Sequence, residues 1–258
     1  MQDLKISLIQ IDQVWQDKQA NLARYEQLFQ QLSSTDLVVL PEMFHTGFSM
    51  DVHALSESME NSVGISFLTH WSAKLQTAIY ASLIIQENGK FYNRGVFVFP
   101  SGEITTYDKR KSFGLGGEDK HFSAGEKEVI VEWKGWKINL QICYDLRFPE
   151  LIRNRMDDEK AAYDVLLYVA NWPEKRRAHW DTLLKARSIE NQCFVAGVNR
   201  VGTDGKELIY SGGTAVYDAL GQCLQEAKNH QNDMLQVTLS ATSLLDTRKM
   251  LPFLKDRS

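Results

Sequence analysis

Cysteine is scarce, with Cys143, Cys193 and Cys223 the only three in a chain of 258 residues. An odd count with no CxxC pair argues against a disulfide scaffold and a cysteine-based zinc site, and it points to a reducing cytosol. Proline is sparse too, with five residues scattered singly. No repeat, low-complexity tract or Pro/Gly/Ser linker breaks the chain, so residues 1–258 read as one domain. No run reaches the roughly 18 apolar residues that a membrane helix needs. The N-terminal MQDLKISLIQIDQVW lacks a basic-then-apolar leader with a small-residue cleavage site. Positive charge is not in excess: 29 Lys and Arg stand against 33 Asp and Glu, a net charge of −4. That balance argues against a nucleic-acid surface built on bulk charge. HExxH, GxGxxG and P-loop patterns are all missing, and the GLGG of residues 114–117 lacks a following Lys-Ser/Thr. No cluster has metal-ligand spacing, so neither a metal nor a cofactor is expected.

What is present is ordinary for a globular protein: 43% apolar and 24% charged residues. LKISLIQI (4–11) and LVVL (37–40) read as buried strands, and residues 15–32 and 63–77 as amphipathic helices. Residues 79–86 and 91–99 form a hairpin around Asn88-Gly89. A second hairpin, EVIVEW and WKINLQIC, turns at Lys134-Gly135. Residues 109–127 are a Gly- and charge-rich loop. VLLYVA (165–170), a helix over 176–192, the strand CFVAGVN (193–199) and a closing helix over 240–250 complete a mixed α/β pattern.

Three polar residues stand where apolar strands run out: Glu42 after LVVLP, Cys143 after INLQI, and Asn171-Trp172 after VLLYVA. Strand ends are where open α/β sheets gather functional groups. A lone cysteine is more often a small buried hydrophobe. Cys143 differs because CYDLRFPE turns abruptly polar after an apolar strand. A nucleophile on such a turn has free backbone N–H groups beside it for an oxyanion. Cys193 and Cys223 lack this context and read as structural. Glu42, flanked by LVVL and by Met43-Phe44, is expected to be partly desolvated and so suited to general-base work. Lys109 lies in Lys109-Arg110-Lys111, a run that is usually a solvated face, and composition does not single it out. A lysine is nevertheless what a Cys–Glu pair needs, to lower the thiol pKa and stabilise an oxyanion. None of the six histidines lies in a pattern specific to Cys–His chemistry.

These elements resemble the carbon–nitrogen hydrolase, or nitrilase, superfamily. VVLPEMF (38–44), Tyr107-Asp108-Lys109 and CYDLRFPE (143–150) match, in order and spacing, the segments that carry its Glu–Lys–Cys triad. Ala170-Asn171-Trp172-Pro173, His179-Trp180 and ARSIENQ (186–192) look like the ω-amidase branch and its bacterial members. The resemblance implies a four-layer α-β-β-α sandwich, a homodimer and metal-free amide hydrolysis through a cysteine thioester. It also implies a second glutamate seven residues before a glycine, which fits Glu118 and Gly125. In the implied reaction Glu42, Lys109, Cys143 and Glu118 are catalytic, and the Tyr144 N–H joins Lys109 in binding the oxyanion. The implied substrate is a small dicarboxylate monoamide such as 2-oxoglutaramate, bound near Asn171 and Trp172. Its free carboxylate needs a cation, and the nearest basic cluster to that strand end is Lys175-Arg176-Arg177, with Arg176 the candidate; the alternative is a solvated first turn of the following helix. Arg147 is the rival for that role unless it pairs with Asp145 or Glu150. Two departures, Lys111-Ser112-Phe113 for His-Leu-Phe and Asn139 for Gly, are expected near the site. An N-carbamoyl compound, another aliphatic amide or a nitrile is the alternative substrate, and a silent binding module with the same fold is the alternative function.

Overall fold

The computed structural model describes residues 1–157 and 160–257. Strand β1 (Leu4–Gln10) sends Leu4, Ile6 and Leu8 to one face and Ile9 to the other, as period-two alternation requires. It pairs in parallel with β2 (Leu37–Val39), and β2 pairs in parallel with β3 (Ala78–Glu87). β4 (Lys90–Val98) and β5 (Ile104–Asp108) continue the sheet antiparallel. The β3–β4 turn is Asn88-Gly89, with φ of 50° and 73°. Two positive φ values are what a two-residue turn between right-twisted strands demands.

The second sheet begins with β6 (Ile130–Trp133) and β7 (Trp136–Ile142), joined at Lys134-Gly135 with φ of 50° and 80°. β7, β8 (Val165–Ala170) and β9 (Phe194–Asn199) run parallel. β10 (Ala215–Tyr217) and β11 (Cys223–Glu226) follow antiparallel, and β12 (Asp233–Leu239) returns to the first sheet beside β1. Strand order is β12-β1-β2-β3-β4-β5 in one sheet and β11-β10-β9-β8-β7-β6 in the other.

Helices α1 (Lys18–Gln30) and α2 (Val63–Leu75) cover the first sheet with Tyr25, Phe29, Leu68 and Trp71. α1 starts later than its apolar pattern because Asp17 caps it, accepting the Ala20 N–H at 2.9 Å. Helix α3 (Arg177–Asn191) covers the second sheet through Trp180 and Leu184. A Cβ on Gly197 of β9 would lie 2.6 Å from Leu184 and 2.8 Å from Trp180, so glycine permits this close approach. Helix α4 (Ala241–Met250) closes the chain. The inner faces of the two sheets meet in one apolar core built around Tyr80, Phe97, Trp136, Leu140 and Leu167. The result is the α-β-β-α sandwich that the resemblance implies. Among the described residues, no helix is long and apolar enough to cross a membrane.

Candidate active site

Within each sheet the parallel strands, β2 and β3 in one and β7, β8 and β9 in the other, share a direction, and β5 runs the same way as β3. Glu42, Lys109, Cys143 and Asn171 all follow such ends, although they lie up to 129 residues apart. Cys143 leaves β7 with φ of +45°, and Met43 follows Glu42 with φ of +47°. Neither is glycine, so each turn is a locally strained bend held by its surroundings. Residues Cys143–Arg147 form a 3-10 turn whose first N–H groups, that of Tyr144 among them, have no intrahelical acceptor.

The acidic and basic groups converge in a buried setting. Glu42 is fully buried and Lys109 is 3% exposed. Lys109 Nζ donates to Glu42 Oε1 at 3.0 Å and to both oxygens of Glu118 at 2.9 and 2.8 Å. Glu42 Oε2 accepts the Asn171 backbone N–H at 2.8 Å, and the Asn171 amide donates to the Glu42 carbonyl at 2.6 Å. Glu118 also accepts the Phe113 N–H at 2.6 Å. Burial alone would lower the Lys109 pKa, but Glu118 and Glu42 outweigh it and hold the ammonium well above the usual lysine range. The basic run is therefore not a solvated face: Lys109 turns inward, and Arg110 donates to the Leu151 carbonyl at 2.8 Å.

The thiol departs from the sequence expectation. Burial pushes the Cys143 pKa well above its ordinary value, and Glu42 and Glu118 add to the rise, so the opposing charge of Lys109 does not prevail. Two carboxylates and one ammonium leave this neighbourhood negative, which disfavours a thiolate.

Cys143, Lys109, Tyr144, Asn171, Trp172 and Arg176 border one pocket of about 300 Å³. Phe48, Phe113, Leu115 and Tyr210 supply apolar walls. Arg147 also lines it, stacked over the Trp172 ring at 4.6 Å, with Nη2 3.3 Å from His179 Nδ1. Arg147 does not pair with Asp145. That carboxylate accepts Tyr107 Oη at 2.7 Å, the Lys111 N–H at 2.9 Å and the Ile142 N–H at 3.1 Å. Arg176 stacks over Phe113 at 5.3 Å. Among the described residues, neither guanidinium forms an ion pair. Arg177 turns away to Asp181 and Glu226. Asp204, the pocket's acidic member, is engaged by the Lys206 and Leu208 N–H groups and by Tyr210 Oη.

Of the two departures, Phe113 does border the pocket, but Asn139 does not. Asn139 is buried within β7 and donates to Glu128 at 2.9 Å. Sequence reasoning missed Asn93, Asp145 and Asn199. Asn199 ends β9, accepts the Trp172 N–H at 2.7 Å and donates to the Trp172 carbonyl at 2.9 Å, which fixes the Asn171-Trp172 turn. Its place at an apolar strand's end was a usable signal.

The chain matches the carbon-nitrogen hydrolase family model over residues 5–249. It is 43% identical to an omega-amidase YafV of Yersinia enterocolitica, over 99% of this chain and 97% of that protein. It is 34% identical to a 2-oxoglutaramate amidase of Paenarthrobacter nicotinovorans, over 92% of this chain and 83% of that one. The crystal structure of XC1258 from Xanthomonas campestris, a CN-hydrolase superfamily protein with an arsenic adduct in its active site, is 42% identical. It superposes with a TM-score of 0.97, covering 100% of this chain and 98% of that one. A family match across nearly the whole sequence and a sandwich shared with a solved superfamily member lead to one statement: the chain belongs to the carbon–nitrogen hydrolase family.

Proposed function

We propose that this protein is an ω-amidase, which hydrolyses the terminal primary amide of a small dicarboxylate monoamide of the 2-oxoglutaramate type. The observation that carries the proposal is one pocket holding Cys143, Lys109 and two guanidiniums without acidic partners. Similarity to an omega-amidase and to a 2-oxoglutaramate amidase supports the same reading.

In this mechanism the Cys143 thiol gives its proton to Glu42 as sulfur attacks the amide carbon. The raised thiol pKa makes that base necessary, because little thiolate exists at rest. The developing oxyanion sits between Lys109 Nζ and the Tyr144 N–H. Glu42 then passes the proton to the leaving nitrogen, ammonia departs, and a thioester remains. Water attacks the thioester and gives its proton to Glu42. The acid leaves and the thiol is restored. Glu118 anchors Lys109 through both oxygens, so the ammonium stays aimed while charge moves. Arg176, with Arg147 opposite, takes the far carboxylate, for which a planar guanidinium is suited. Asn171 and Trp172 shape the floor between the two ends. Three cysteines without a CxxC pair fit a reducing cytosol, and the family resemblance implies a homodimer.

Ammonia release from an amide panel tests this. 2-Oxoglutaramate and succinamate are expected to be good substrates, and butyramide, which lacks the carboxylate, a poor one. Glutamine should also be poor, because among the described residues Asp204, the pocket's carboxylate, is already engaged and does not offer itself to an ammonium. Cys143→Ala should abolish activity. Arg176→Lys should lower kcat/KM for the acids by about 10- to 150-fold, the range for a lost hydrogen bond to a charged group, and leave butyramide nearly unchanged. Preference for a nitrile or an N-carbamoyl compound, or activity surviving in Cys143→Ala, would overturn the proposal.

A further inference from the structure

Asn93 lies inside β4, where asparagine is a poor strand former, and it is 1% exposed. Its Nδ2 donates to Glu42 Oε1 at 2.7 Å and to Glu118 Oε1 at 3.2 Å. Lys109 Nζ donates to the same two oxygens at 3.0 and 2.9 Å. Two donors therefore bridge two carboxylates in a closed ring, one donor charged and the other neutral. The orientation of the amide follows from chemistry: turned over, its oxygen would face two carboxylate oxygens with nothing to accept. Holding this orientation leaves Asn93 Oδ1 buried without a partner among the described residues. An orphaned acceptor is costly, and a fold tolerates one where the other end of the group has a task.

A ring with a second ammonium in place of the amide would cancel the pair's remaining negative charge and weaken Glu42 as a base. The Asn171 and Phe113 N–H groups each hold one carboxylate, so a ring with no second donor would leave the link between the two to Lys109, the group that must also serve the oxyanion. The Asn93 backbone adds to the placement, because its carbonyl accepts the Lys109 N–H at 3.0 Å. We infer that Asn93 is a positioning residue for the hydrolysis. Its amide fixes Glu42 Oε1 and Glu118 Oε1 together, so that Lys109 stays aimed at the oxyanion and Glu42 Oε2, which also accepts the Asn171 N–H, keeps its second lone pair for the thiol proton. This inference rests on the ω-amidase reading of the same site, and Asn93 touches neither substrate nor thiol in it.

The test uses Asn93→Leu, of similar shape without donors, and Asn93→Asp, of the same shape with an added carboxyl. Asn93→Leu is expected to fold and to lose about 10- to 150-fold in kcat, the cost of a lost charge-assisted hydrogen bond, with KM changed little. Its acid limb in the kcat/KM profile should move to higher pH, because removing a donor to a carboxylate favours the protonated form. Asn93→Asp should be the worse variant at pH 8, where three carboxylates crowd together. It should recover relative to wild type at pH 5, where a protonated carboxyl can again donate. A purely structural residue gives neither the shifted limb nor the recovery. Wild-type kcat in both variants, or equal losses in both at every pH, would overturn the inference. If Asn93→Leu does not fold, the pH ratio of Asn93→Asp decides. The alkylation rate of Cys143 by iodoacetamide follows the same base without any substrate. It keeps the inference testable if the panel finds no ω-amide hydrolysis, a result that counts against the functional reading alone.

Discussion

Cys143 shows how burial and charge set reactivity at a single side chain. Burial, with Glu42 and Glu118 adding to it, disfavours a thiolate more than Lys109 favours one, so the thiol pKa is pushed well above its ordinary value. In a Cys223→Ala background, which removes the exposed thiol, alkylation of Cys143 by iodoacetamide should keep climbing through pH 9. A plateau below pH 7 would show a stable thiolate and contradict the proposed role of Glu42 as the proton acceptor. At this scale the sequence exposed the residues that break a pattern. Glu42 and Cys143 are visible because a polar group ends an apolar strand. Lys109 is hidden among three cations, and only tertiary pairing turns it inward while Arg110 seeks a carbonyl. Asn93 is hidden more deeply. A buried amide inside a strand looks like a weak strand residue until the carboxylates it serves arrive from elsewhere in the chain.

At the scale of elements, turns and strand ends were legible because local chemistry fixes them. Asn88-Gly89 and Lys134-Gly135 have the positive φ values their hairpins require. The loop over 109–127 was legible as a loop, but not its path. That path depends on Gly125, whose N–H donates to the Lys109 carbonyl at 2.9 Å. A Cβ there would lie 2.2 Å from the Asp108 carbonyl oxygen, a backbone atom that cannot swing aside. Glycine in this position lets the far end of the loop press on β5 just where Lys109 emerges, while Glu118 earlier in the loop folds back onto its ammonium. Gly125→Ala should therefore destabilise the protein by about 1–3 kcal/mol, the usual cost of overpacking. It should also lower kcat disproportionately, because small shifts of a catalytic group are costly. Denaturant melts beside steady-state kinetics check this. A stable variant with normal kcat would mean that the loop yields without moving Lys109.

At the scale of the whole molecule, the site is assembled from both sheets. The first contributes Glu42, Asn93 and Lys109, and the second contributes Cys143, Asn171 and Asn199. No reading of one sheet yields the pocket, and the sheets must stay in register to within a hydrogen bond. Tyr107 is one tie that keeps them there. Being two residues before Lys109 on β5, it points to the same face, toward the second sheet, which gives the Tyr-x-Lys spacing a physical reason. Its hydroxyl donates to Asp145 Oδ2 at 2.7 Å and lies 3.3 Å from Gln141 Oε1. Asp145 in turn holds the Ile142 N–H at 3.1 Å, the residue that leads into the Cys143 bend. Burial already pushes the Asp145 carboxyl up to about 6, so it can ill spare a donor. Tyr107→Phe keeps the ring and the apolar packing and removes only the hydroxyl. Leaving Asp145 short of a donor should lower stability by about 1–3 kcal/mol. If the tie sets the register of the sheets, kcat should fall at least tenfold at pH 8 with KM little changed, because Lys109 and Cys143 then drift relative to each other while the far end of the pocket stays whole. A variant that melts earlier yet turns over at the wild-type rate would show that the core alone holds the two halves of the site together.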